Sequence, residues 1–172
     1  NQEGDSSILY RIPSLGGQPQ KVIEYVSGGI TVSPDDMRLA FIRINKQKGF
    51  SSIIVTDSNG TNERTIASID ADSLYQSLDW SPDGATIAYT VKRREQNRNS
   101  WYVAEIPVDG GAEHRISNPH SSKIINAFWL PDKKGFVINA LEPQTKQPQI
   151  YYLSYSDGSE RRITNDLNYY FG

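Results

Sequence analysis

The chain has 172 residues, a net charge of −2 and no cysteine, which suits a single domain and excludes disulfides and thiolate metal sites. Hydrophobic residues make up 37% and aromatics 10%, with Tyr supplying ten of the aromatic side chains; a disordered chain lacks such residues, so disorder is excluded as the main state. No apolar run is long enough for a membrane helix, and the near-neutral charge argues against whole-surface attraction to nucleic acid or anionic lipid. Asn1 opens the sequence without a basic and then apolar leader, so a processed or fragment end is expected there.

Taken in chain order, residues 8–23 read as two short strands around the turn Leu15-Gly16-Gly17. A fuller unit follows. It has a strand at 30–32, the turn Ser33-Pro34-Asp35-Asp36, strands at 39–42 and 53–55, the turn Ser58-Asn59-Gly60 and a strand at 64–66. The same series returns as 78–80, Ser81-Pro82-Asp83-Gly84, 87–90, 101–106, Asp109-Gly110-Gly111 and 115–116. It returns again as 127–129, Leu130-Pro131-Asp132-Lys133, 136–138, 150–153, Ser156-Asp157-Gly158 and 162–164. Pro34 to Pro82 is 48 positions and Pro82 to Pro131 is 49; the glycine markers Gly16, Gly60, Gly110 and Gly158 are 44, 50 and 48 apart. Two independent turn markers keep one period. Each residue of the turn has a reason: Pro presets φ, Asp bonds a nearby amide, and Gly permits positive φ. The third unit departs from it, with Leu130 for Ser and Lys133-Lys134 before Gly135, which predicts a looser turn. No stretch carries a sustained helical period with caps.

Four short strands, here A to D, repeating every 40–50 residues are the signature of a β-propeller blade. The expected fold is therefore all-β, with about three and a half four-stranded blades. Residues 1–29 give a half blade (strands C and D), 30–76 and 77–125 give whole blades, and 126–172 give a blade plus the truncated start of another. Small Ala40 and Ala88 mark close approach of neighbouring blades, and Trp80 and Trp129 are expected to pack between them. A piece of a longer propeller is expected; the alternative is self-association of incomplete propellers through uncovered apolar faces.

The stretch Tyr10-Arg11-Ile12-Pro13 with Leu15-Gly16-Gly17, then Ser33-Pro34-Asp35 and Trp80-Ser81-Pro82-Asp83-Gly84, resembles the TolB-like β-propeller repeat. The segments 106–113 and 163–168 resemble the propeller region that follows bacterial serine/threonine kinase domains and some transcriptional regulators. The resemblance implies a six-bladed parent, protein docking, and a site outside the bacterial cytoplasm, in the periplasm or at the cell surface. Its motifs specify fold far better than function.

No catalytic set emerges. The two histidines, His114 and His120, stand apart, and no Gly-x-Ser-x-Gly elbow, His-Glu-x-x-His helix, phosphate-cradling loop or kinase signature occurs. Asp70-Ala71-Asp72-Ser73 starts like a calcium loop but lacks its sixth-position Gly and twelfth-position Glu. Strand A offers Asp79 as its one carboxylate, where a carbohydrate-acting propeller needs a pair. Pro34, Asp35, Pro82, Asp83, Gly84, Pro131 and Asp132 read as turn-builders. No enzyme activity, cofactor or metal is expected.

Charge points elsewhere. The B–C connections carry Lys46 and Lys48, then Lys92, Arg93, Arg94 and Arg98, then Lys146; the D–A connections carry Tyr75, His120, Lys123, Tyr169 and Tyr170. Both sets emerge on one propeller face. Basic and aromatic residues gathered there suit a protein or peptide partner; nucleic acid is not expected, because acidic residues cancel the wider field. The alternative is an accessory sensor or gating propeller of an enzyme, a serine/threonine kinase or a serine peptidase, whose catalytic domain lies outside this chain.

Overall fold

The structure, a computed structural model, describes residues 7–70, 73–95, 98–118 and 122–164. Strands β1 (Ser7–Arg11) and β2 (Gln20–Val26) pair with each other alone. Then come three antiparallel four-stranded sheets, each in simple sequence order. The first holds β3 (Ile30–Val32), β4 (Arg38–Asn45), β5 (Phe50–Asp57) and β6 (Arg64–Asp70). The second holds β7 (Ser73–Trp80), β8 (Thr86–Glu95), β9 (Arg98–Pro107) and β10 (His114–Arg115). The third holds β11 (Ile124–Trp129), β12 (Gly135–Leu141), β13 (Pro148–Ser154) and β14 (Glu160–Arg162). This is the meander of propeller blades that the repeat predicts. Several strands run longer than their apolar stretches, because backbone pairing continues where the side chains turn polar: β6 runs on to Asp70, β7 begins at Ser73 and β8 reaches Glu95.

Period-two alternation places successive side chains on opposite faces of a strand, and in the middle strands both faces are apolar. Leu39, Phe41 and Ile54 pack with Ile23 and Val26 of β2, while Ala40, Ile42, Ile53 and Val55 pack with Tyr75, Leu78, Trp80 and Ile87 of the second sheet. Ala88 and Val103 face the other way, against Ala127, Trp129, Phe136 and Ile138 of the third. Each apolar cluster thus lies between two sheets. Ordering a residue's backbone costs about 1–2 kcal/mol, and fully burying an Ile returns about 1.5–3 kcal/mol. A blade with one face wet therefore forfeits half its return, and neighbours stabilise one another. Ala40 shares a cluster with Trp80, and Ala88 with Trp129.

The turns repeat in their hydrogen bonds. Backbone N–H groups of Ser33, Ser81 and Leu130 donate to the carbonyls of Arg38, Thr86 and Gly135, each at 2.9 Å. Asp36, Gly84 and Lys133 all take positive φ, 57–69°. The third turn is thus not looser in its backbone, although Leu130 has no hydroxyl to match Ser33 Oγ and Ser81 Oγ, which accept the N–H of Arg38 and Thr86 at 2.9 Å. Ser58, Val108 and Tyr155 at the C–D turns donate to the carbonyls of Met37, Ala85 and Lys134 at 2.9–3.0 Å. The A–B and C–D turns of each blade therefore sit together at one end, called here the turn end.

Candidate functional site

At the opposite end the chain passes from B to C and from D to A. Leu141 N donates to Lys123 O, and Ser27 N to Ile42 O, both at 2.9 Å, tying these two D–A connections to B strands. Lys46 and Lys48 sit exposed in the β4–β5 turn, Lys146 in the β12–β13 turn, and Lys123 just before β11. His120, Tyr169 and Tyr170 lie outside the described residues.

Two expectations are corrected here. Tyr75 does not belong to a loop face: it lies inside β7, 4% exposed, edge-on to Tyr89 at 5.1 Å between ring centres. Burial holds both phenols protonated well above the ordinary tyrosine range, with the Glu113 charge adding to it. Strand A begins five residues earlier than its apolar core suggests, and this carries Tyr75 inward. Nor do Lys92, Arg93, Arg94 and Arg98 stand in an open loop. Lys92 pairs across the strands with Trp101, Arg93 with Ser100, Arg94 with Asn99 and Glu95 with Arg98. The basic residues stand on an extended two-stranded ladder, Lys92 and Arg94 on the face shared with Trp101 and Arg93 on the other.

Sequence reasoning missed a groove at this same end. It measures about 980 Å³ and lies between β2 and the first full blade, with Lys21, Glu24, Tyr25, Arg43, Lys46 and Phe50 among its walls. Arg43 shapes it. Its guanidinium donates twice to the Glu63 carboxylate (2.7 and 3.0 Å), to Glu24 O at 2.9 Å and to Tyr25 O at 3.3 Å. That clamp supports Tyr25 in a left-handed conformation, φ 61°, which a bulky residue adopts only when its surroundings impose it. A contact between residues 18 to 20 apart leaves no signal in a local motif.

The turn end holds a second polar cluster. The Glu105 side chain, 7% exposed, accepts from Thr86 Oγ1 at 2.8 Å and from Tyr155 Oη at 2.7 Å, and lies 3.0 Å from His114 Nδ1. The hydrogen bond to Glu105, then burial, pushes the Tyr155 phenol up to about 12. Tyr155 belongs to the third sheet and Glu105 to the second, so the cluster fastens two blades. His114 is largely exposed, with one ring nitrogen anchored on Glu105. Asp79 also bridges blades: Oδ2 accepts the Trp129 N–H at 2.7 Å, on β11 of the next sheet, and burial pushes its carboxyl upward. Asp83 pairs with Lys133 of the following blade. The hydrogen bonds from Lys133 and then Ser81 hold its carboxyl well below the usual range. Among the described residues no three His, Asp or Glu side chains gather as metal ligands, and no helix is long and apolar enough to cross a membrane.

No family model and no curated protein matches this sequence. Solved structures do match. An oligogalacturonate lyase in complex with manganese superposes with a TM-score of 0.68 at 15% identity, over 91% of this chain and 41% of that one. One of two prolyl endopeptidases gives 0.65 at 14% identity, over 93% of this chain and 26% of that one. The acylaminoacyl peptidase of Pyrococcus horikoshii gives 0.60 at 15% identity, over 93% and 30%. The chain spans less than half the length of each. At such identities the likeness establishes architecture alone: this is an all-β chain built of propeller blades.

Proposed function

We propose that this chain is a non-enzymatic propeller module that docks a protein or peptide on its basic end. The β8–β9 ladder carries the reading: Lys92, Arg93, Arg94 and Arg98 are held on paired strands, so a partner meets side chains whose backbone is already ordered. The groove beside β2, with Lys46 in its wall, adds a recess to a charged rim. Docking of this kind, outside the cytoplasm, is also what the resemblance to TolB-like repeats implies. A displayed peptide library selected on the chain is the test. Enriched peptides should bind about tenfold more weakly to the Arg93→Ala/Arg94→Ala variant at low salt. Unchanged binding, or no enrichment at all, retires the reading.

A second reading is an accessory propeller of an enzyme, gating or sensing for a catalytic domain elsewhere. It is favoured by the peptidases among the solved structures, of which this chain covers 26% and 30%. A hydrolase elbow or a kinase signature in the same polypeptide supports this reading; a polypeptide with neither counts against it.

A further inference from the structure

The two ends of the blades carry opposite charge. At the turn end Asp35, Asp36, Asp109, Glu113 and Asp157 are exposed. Several cations beside them are engaged, Lys133 with Asp83, Arg64 with Val108 O and Asp109, and Arg38 over the Trp80 ring, while Lys134 stays largely exposed near Asp132. At the other end Lys48, Lys92, Arg98 and Lys123 outnumber the acids among the described residues, such as Glu24, Asp70 and Glu142, of which Glu24 pairs with Lys21 and Glu142 with Arg162. The overall charge of −2 conceals this polarity. We propose that copies of this chain associate head to tail, the acidic turn end of one against the basic end of the next.

The chemistry of both surfaces is on the same molecule, so the occupant of the basic end is a second copy. Such a contact joins unlike surfaces and does not close as a two-fold dimer does; it grows into open stacks or, where the rotation between copies closes, rings. Exposed charges interact over about 30 Å at 0.01 M salt but only about 8 Å at physiological strength, so stacking is strongest in dilute buffer. A competing mode would join the apolar surfaces at Ile30, Val32 and Phe128, which are 40–50% exposed. That mode does not weaken with salt. The inference uses the same end as the docking reading but does not depend on it, since peptide selection is read on the monomer at high dilution.

Sedimentation velocity over a concentration series, at about 20 mM and about 300 mM sodium chloride, separates these outcomes. The expected result is concentration-dependent growth at low salt, weakened about tenfold or more at high salt. The variants Lys92→Glu/Arg98→Glu and Asp36→Lys/Asp109→Lys should each remain monomeric alone and associate when mixed. Circular dichroism and melting curves on each variant confirm that it is folded. A monomer at every concentration in low salt overturns the proposal, as does association that salt leaves unchanged or strengthens. Peptides that still bind in either case leave the docking reading standing.

Discussion

The turn end and the basic end of the blades are built on different terms. At the turn end one geometry is copied three times, and its side chains are spent on neighbouring blades: Asp83 on Lys133, Arg64 on Val108 O, Tyr155 on Glu105. At the basic end the hairpins differ. The β8 and β9 strands have ten residues each, against eight in β4 and β5 and seven in β12 and β13. One end specifies the stacking of sheets; the other varies without disturbing it. Variation at a rigid scaffold's periphery is where binding residues concentrate.

The contrast should break most visibly at the C–D glycines. Gly60 and Gly158 both hold positive φ, and an added Cβ would stand 2.0 Å from Val22 O and 2.4 Å from Ile116 O of the preceding sheet. Gly110 has the same kind of φ, 85°, but open space around it. Gly60→Ala and Gly158→Ala should each cost about 3 kcal/mol or more, and Gly110→Ala about 1–2 kcal/mol. Denaturant titration of the three variants checks this, and equal losses would mean that the seam is not where the cost arises.

The Glu105 cluster comes next. Glu105→Ala strips Thr86, His114 and Tyr155 of a shared acceptor and should cost about 2–4 kcal/mol, whereas Tyr155→Phe should cost about 1–2 kcal/mol. A loss for Tyr155→Phe near zero would remove this bond from the inter-blade account.

Asp79 sharpens the comparison through pH. Its carboxyl is raised by burial, so its favourable contribution is complete below the ordinary aspartate range and is lost as pH rises through the folded value. Asp79→Asn keeps an acceptor for the Trp129 N–H without the buried charge. Its melting temperature relative to the parent should climb as pH rises above the ordinary aspartate range. Asp83 has the opposite sign. Its lowered carboxyl stabilises above the ordinary range, and that contribution is lost as pH falls; because the pair with Lys133 is exposed, the effect is small and fades with salt. Smallest of all, Lys92→Glu/Arg98→Glu should leave stability within about 0.5 kcal/mol while altering association.

The architecture was legible because a propeller repeats its punctuation. Pro34, Pro82 and Pro131 announce the A–B turns, and the apolar runs between them mark strands covered on both faces. Strand ends are less legible, since Ser73, Lys92, Arg93 and Arg94 pair through their backbones, whatever their polarity. For that reason the sequence alone puts Tyr75 in a connection and Lys92, Arg93, Arg94 and Arg98 in a loop. The bridging roles of Asp79, Glu105 and Tyr155 were hidden for another reason: their partners lie up to fifty positions away, and only stacking of the sheets brings them together. The Arg43 clamp at the groove belongs to the same class.

The central claim is that each core lies between two sheets and belongs to both. Ala88 tests it, being fully buried on the face that β8 turns toward the third sheet. Ala88→Leu overpacks that seam by about 1–3 kcal/mol, and hydrogen exchange reports where the loss spreads. A shared core predicts faster exchange in β11 and β12 together with β8. Acceleration confined to β7 through β10 would mean that each sheet keeps its own core, and would contradict the account.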